Sequence, residues 1–72
     1  GQARFDALKA WRGEVAKSHN LPAYVIFHDA TLAAIAKAGP TNLDSLQGIA
    51  GIGVKKLEAY GQEVLRVVAT VE

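Results

Sequence analysis

Apolar residues near both ends of this chain recur every three or four positions, which is the spacing of one face of an α-helix. The pattern runs over residues 3–18 and again from residue 54 to the C-terminus. The sequence therefore predicts a long helix at each end. Gly61 interrupts the second pattern, and we expect another backbone to pack closely against it. The patterned residues are Phe5, Leu8, Trp11 and Val15 in the first helix, and Val54, Leu57, Val64, Leu65, Val68 and Val71 in the second.

The segment 22–27 is rich in β-branched and aromatic residues, which favour strands. No other segment offers a strand partner, and a lone strand would leave its backbone N–H and C=O groups unpaired. We therefore predict that this segment forms a short buried helix.

Two more helices are predicted between residues 29 and 47. Asp29 is the expected N-cap of a helix over residues 30–38, which ends at Gly39-Pro40. The four residues that begin at Thr41 resemble a capping box with Asp44 in place of Glu, and they predict the start of a short fourth helix. The expected inward face of the third helix is Leu32, Ile35 and Ala36. The whole chain is thus predicted to be a compact all-α bundle of five helices.

A glycine-apolar-glycine turn, Gly51-Ile52-Gly53, separates the last two helices and is followed by Lys55 and Lys56. Glycine lets a ligand approach the backbone, and the first N–H groups of the next helix point outward at the positive end of its dipole. The turn is therefore a candidate phosphate contact. The alternative is a tight connection in which Ile49 and Ile52 fill the core and the lysines are ordinary solvated side chains.

Composition narrows the class of protein. The chain has 72 residues, a formal net charge of +1 and no cysteine, and it contains no run long enough to cross a bilayer. We expect one small cytoplasmic domain, monomeric in isolation and without membrane contact. Because the chain begins with Gly1 and contains no methionine, we also expect it to be cut from a longer protein.

The sequence offers no pattern for catalysis or for a bound cofactor. The glycine turn lacks the spacing of a nucleotide-binding P-loop. His19 and His28 have no ligand spacing for a metal, and the carboxylates are spaced as helix-surface residues. We expect no catalytic residue, no metal and no cofactor.

Four motifs in register, between about Phe5 and Val68, resemble the HRDC domain. This is the helicase and RNase D C-terminal module of RecQ-type helicases, some UvrD-like helicases and RNase D nucleases. The resemblance implies a single domain over residues 1–72, an HRDC-like and SAM-domain-like helical bundle with a helix-hairpin-helix-like turn and no catalysis of its own. The motifs occupy residues 21–32, 40–41, 46–57 and 60–61.

The resemblance also implies where nucleic acid binds. In bacterial RecQ relatives, weak single-stranded DNA binding lies on a basic surface that includes the aromatic residue of a Pro-x-Tyr segment, which is Tyr24 here. An exposed tyrosine can stack on a base, with the guanidinium of Arg12 or the ammonium of Lys17 on nearby phosphates. The alternative is that Tyr24 is a half-buried core residue. The helix-hairpin-helix match of the turn is partial, because Lys56 replaces the usual small residue.

The sequence therefore predicts an auxiliary domain of a bacterial RecQ-like, ATP-dependent DNA helicase associated with the nucleoid. It is expected to bind single-stranded or junction DNA weakly and to tune which substrates the helicase engages. The expected nucleic-acid-binding residues are Tyr24, Arg12, Lys17, Lys55, Lys56, Gly51 and Gly53. Two alternatives stay open: a protein-interaction module that docks on the helicase core or a repair protein, which the near-neutral charge favours, and an RNA-binding accessory domain of an RNase D.

Overall fold

A computed structural model describes residues 2–71 of the chain. Over that range the chain forms five α-helices and no strand, which confirms the predicted all-α class. None of these helices is long and apolar enough to cross a membrane. The helices are α1 (Gln2–His19), α2 (Ala23–Ile26), α3 (Asp29–Ala38), α4 (Leu43–Gln47) and α5 (Val54–Thr70).

Helix α1 is the centre of the bundle. It packs against α2, α3 and α5, while α4 packs against α5. The inward face predicted for the third helix is confirmed, because Leu32, Ile35 and Ala36 are all buried. The largest side chains with almost no exposure come from α1, α2, α3, α4 and α5 in turn, so all five helices contribute to one core: Leu8, Ile26, Leu32, Ile35, Leu46 and Val64.

The end of α3 agrees with the prediction and its beginning does not. Gly39 ends the helix in the left-handed conformation, and its N–H donates to the Ile35 carbonyl at 2.9 Å. Arg4 adds a second contact there, because its Nε donates to the Ala36 carbonyl at 2.7 Å. At the other end the cap residue is His28, without a side-chain hydrogen bond, so the prediction of an Asp29 N-cap was wrong. Asp29 is already helical, and its carboxylate pairs with α1 instead.

Helix α4 begins one residue later than the capping-box pattern predicts. Its N-cap is Asn42, whose side-chain oxygen accepts a hydrogen bond from the Ser45 N–H at 2.8 Å. Asn42 therefore caps the third residue of the helix, as an Asx N-cap does. The predicted box from Thr41 to Asp44 was wrong because the N-cap is Asn42 and not Thr41.

Gly61 is buried where α4 packs on α5. A Cβ atom at this position would lie 2.9 Å from Cδ2 of Leu43. The close approach predicted at this glycine is therefore made by a side chain of α4 and not by a backbone.

Candidate nucleic-acid interface

Tyr24 lies on α2, which is a single helical turn between two extended residues, Pro22 and Phe27. The predicted short helix is confirmed, but it is buried only at its C-terminal end. Ile26 and Phe27 enter the core, whereas 62% of Tyr24 is exposed. The alternative that Tyr24 is a half-buried core residue was therefore wrong.

Four exposed side chains surround this turn, and we call them the α2 surface: Leu21, Tyr24, Val25 and His28. The rings of Tyr24 and His28 are stacked, with centroids 6.1 Å apart and planes inclined by 22°. Sequence reasoning missed His28, which was considered only as a metal ligand. Its four-residue spacing from Tyr24 was the available signal.

Arg12 is buried beneath the junction of α2 and α3, with only 7% of the residue exposed. Its Nη1 donates to the Phe27 carbonyl at 2.9 Å and lies 2.7 Å from Oδ1 of Asp29. Its Nε is buried without a partner among the described residues. Residues 27–29 cover this guanidinium and the Asp29 carboxylate neutralises it, so Arg12 is not exposed for the phosphate contact that was expected of it.

The ion pair has a measurable electrostatic consequence for Asp29. The hydrogen bond and the charge of Arg12 lower the pKa of the Asp29 carboxyl below its ordinary value of 3.8. Desolvation of the carboxylate opposes these effects, and the charges of Lys9 and His28 add smaller contributions that lower the pKa. Asp29 is therefore ionised at neutral pH and holds the cation of Arg12 inside the domain.

The two adjacent lysines at the start of α5 have different surroundings. Lys56 is half-buried, and its Nζ donates to the carbonyl groups of Val25 and Ile26 and lies 5.3 Å from the centroid of the Phe27 ring. It is not an ordinary solvated lysine, as one interpretation of the turn required. Lys55 is exposed and has no hydrogen-bond or ion-pair partner within residues 2–71.

We call the contacts of Lys56 and Arg12 with the carbonyl groups of residues 25–27 the α2 cap. The α2 cap joins two of the predicted site regions, the segment around Tyr24 and the start of α5, because the Lys56 side chain reaches the end of α2. The α2 surface and the exposed Lys55 therefore lie in the same part of the molecule. Lys17 is exposed near the end of α1, three residues before the backbone turns at Asn20.

The two glycines of the turn also differ. Gly51 has a φ of +95°, and a Cβ there would lie 2.4 Å from Oγ1 of the buried Thr31. Gly53 is extended, a Cβ there would meet nothing within 4 Å, and as the cap residue of α5 it offers no side-chain hydrogen bond. Ile52 is buried and Ile49 packs on the core. The turn thus makes the tight connection that the alternative predicted, while the first N–H groups of α5 have no side-chain cap from residue 53.

Residues 1–68 match the family described as the HRDC domain. The "ATP-dependent DNA helicase UvrD2" of Mycobacterium tuberculosis is 54% identical over 61 residues, which are 85% of this chain and 9% of that protein. The "ATP-dependent DNA helicase RecQ" of Haemophilus influenzae is 40% identical over 65 residues, which are 89% of this chain and 10% of that protein. The chain therefore spans about a tenth of the length of the curated relatives it matches.

A solved structure, "D. radiodurans RecQ HRDC domain 3", superimposes with a TM-score of 0.92 at 36% identity. The match covers 96% of this chain and 91% of that one. The resemblance read from the four motifs and the five-helix architecture are both confirmed by these comparisons.

Proposed function

The chain belongs to the HRDC domain family, and on that premise we propose that it is an auxiliary, non-catalytic domain that binds single-stranded or junction DNA weakly and without sequence preference. Its parent is an ATP-dependent DNA helicase, as the UvrD2 and RecQ relatives are. The identity is higher with UvrD2 than with RecQ, so a UvrD2-like parent is the better supported of the two. In that parent the domain tunes which DNA structures are engaged.

The observation that carries this proposal is the exposed ring pair of Tyr24 and His28. Aromatic rings that face solvent bury little apolar area in the folded chain, so packing does not account for them. A nucleic-acid base can stack on such a ring whatever its sequence, with a gain of about 1–3 kcal/mol per base. The α2 surface therefore suits an unpaired base.

Other exposed groups can contact the phosphates of the same strand. Lys55 and Lys17 are exposed and can neutralise backbone phosphates, and the start of α5 presents backbone N–H groups at the positive end of a 17-residue helix. Neutralising about three phosphates of a single strand corresponds to a log-log salt slope near −2. We expect roughly a 20-fold loss of affinity between about 50 and 200 mM salt.

A fluorescent single-stranded oligonucleotide titrated with the domain at low and high salt tests the proposal. Tyr24→Phe is the matched control for Tyr24→Ala, because it keeps the ring. Lys37→Gln is the control for loss of a distant charge, because Lys37 lies at the opposite end of α3 from His28. Absence of binding at near-millimolar protein, or binding that Tyr24→Ala leaves unchanged, would contradict the proposal.

A second function is favoured by the apolar part of the α2 surface. Leu21 and Val25 are both about two-fifths exposed, at 44% and 40%, and adjacent apolar groups of this kind also suit contact with protein. The partner would be the helicase core or a repair protein. Chemical-shift mapping with the helicase core and with an oligonucleotide separates the two functions, and a labelled RNA of the same length tests the RNase D alternative.

A further inference from the structure

We infer that Lys56 is a positioning residue for the α2 surface and not a phosphate contact. The inference rests on the proposed DNA binding and names how that site is held in place. Its basis is the α2 cap, in which side chains from two other helices bind the carbonyl groups at the end of α2.

Helix α2 needs such contacts because it consists of only four residues. A single turn is too short to be stable by itself, and the last carbonyl groups of any helix lack partners within the helix. Its cap residue Pro22 contributes no side-chain hydrogen bond. The orientation of this turn must therefore come from other parts of the chain.

Two cations supply that orientation. Lys56 donates to the carbonyl groups of Val25 and Ile26, and Arg12 donates to the carbonyl group of the following residue, Phe27. Three consecutive carbonyl groups at the negative end of α2 thus bind positive side chains from α5 and α1, an arrangement that the helix dipole favours. The ring of Phe27 beneath the Lys56 ammonium adds a cation–π contact.

The two stacked rings lie on either side of the α2 cap in sequence. Tyr24 comes one residue before the first bound carbonyl, and His28 comes one residue after the last. Fixing residues 25–27 therefore fixes the backbone positions from which the two rings project and stack on each other. Loss of the Lys56 contacts would leave both rings on the surface but would remove their common orientation.

The same contacts make Lys56 a poor partner for phosphate. An ammonium group bound to two carbonyl oxygens and an aromatic face would have to give up these contacts to reach DNA. The neighbouring Lys55 has no such partners within the described residues and can exchange a counterion for a phosphate. Only one charge of the Lys55-Lys56 pair is therefore available to the nucleic acid.

Lys55→Met and Lys56→Met are matched variants that test this division, because each removes one charge and keeps an unbranched side chain. In titrations with a labelled single strand at several salt concentrations, Lys55→Met should reduce the log-log salt slope by about 0.7. Lys56→Met should leave the slope unchanged and weaken binding at every salt concentration. Lys56→Arg should restore affinity, because a guanidinium can donate to the same carbonyl groups.

A double-mutant cycle with Tyr24→Ala shows whether Lys56 acts through the ring. If it does, Tyr24→Ala and Lys56→Met together weaken binding little more than Tyr24→Ala alone. A purely structural role would give additive losses and a lower melting temperature without this coupling. In the free protein, the nuclear Overhauser contact between the rings of Tyr24 and His28 should weaken in Lys56→Met.

Three results would overturn the inference: an equal slope change in both methionine variants, additive losses in the cycle, or full affinity of Lys56→Met. If Lys56→Met does not fold, Lys56→Gln gives the same measurements with a smaller change in polarity. Failure of the wild-type domain to bind any oligonucleotide would contradict the proposed function instead. The ring contact in the free variants then still decides whether Lys56 orients the α2 surface.

Discussion

Tyr24 and the glycine turn before α5 both looked like binding features in the sequence, but the folded chain accounts for them differently. The positive φ of Gly51 and its closeness to Thr31 explain that glycine completely by backbone conformation and packing. The exposed Tyr24 and His28 rings have no comparable structural reason. A motif that packing already explains is weak support for function, whereas exposed aromatic rings that packing does not explain are stronger support.

The largest effect on stability is expected for Gly51→Ala. Alanine at a φ of +95° is strained, and its Cβ would overlap the Thr31 hydroxyl. We expect a loss of roughly 2–3 kcal/mol, seen as a melting temperature lower by about 10 °C or more in circular dichroism. Gly53→Ala is the matched control, because its extended backbone and open surroundings accept a methyl group. Equal melting temperatures for the two variants would remove the packing explanation of Gly51.

The largest effect on DNA binding is expected for Tyr24→Ala. Loss of a stacked base should weaken binding by about 1–3 kcal/mol, or roughly 5- to 150-fold, in a fluorescence titration. The melting temperature should hardly change, because the side chain is mostly exposed. A clear drop in melting temperature with unchanged affinity would mean that Tyr24 stabilises the fold and does not bind DNA. Tyr24 and Gly51 would then both have structural roles.

A smaller effect is expected from acid, through the Arg12–Asp29 ion pair. Because the folded state lowers the pKa of Asp29, its contribution to stability is fully present above the ordinary pKa of 3.8 and is lost as the pH falls through the lower folded-state value. Urea unfolding of the wild type and of Asp29→Asn, compared between about pH 6 and pH 2, should show a weaker acid dependence in the variant. Identical pH profiles would mean that this pair does not stabilise the junction beneath the α2 surface.

The smallest effect is expected for DNA binding by Gly53→Ala. A methyl group at this position meets no protein atom, so only a phosphate that touches the backbone amide would sense it. We expect a loss of less than about twofold, which is within about 0.5 kcal/mol. A tenfold loss of DNA affinity with an unchanged melting temperature would make the turn the main phosphate site. The turn, and not the α2 surface, would then be the better supported binding feature.

Helices α1, α3, α4 and α5 could be predicted from sequence because apolar spacing and capping residues act within a few positions, whereas α2 was predicted from the lack of a strand partner. The capping error at Thr41 was local, and the other errors occurred where a side chain contacts a distant partner. Asp29 is a residue type that is common at N-caps, but its side chain pairs with Arg12, which is 17 positions away. Lys56 and the Val25 carbonyl are 31 positions apart. Nothing in local periodicity specifies such contacts, since they depend on how the helices pack.

The candidate site was predicted only in part for the same reason. The choice of Tyr24 came from the family resemblance, and its exposure on α2 became visible only in the fold. Arg12 was expected to contact phosphate. Its burial requires the α2–α3 junction to cover it, which the spacing within α1 does not reveal.

The contact of Arg4 with the end of α3 has a consequence for how charge is counted in this protein. Arg4, Arg12 and Lys56 all donate to carbonyl groups at or just beyond the C-terminal ends of helices, so three of the eight basic side chains satisfy the backbone. All eight basic side chains nevertheless count, against seven acidic ones, toward the formal net charge of +1. Domains of this size with the same isoelectric point can therefore differ widely in how strongly they retain a polyanion.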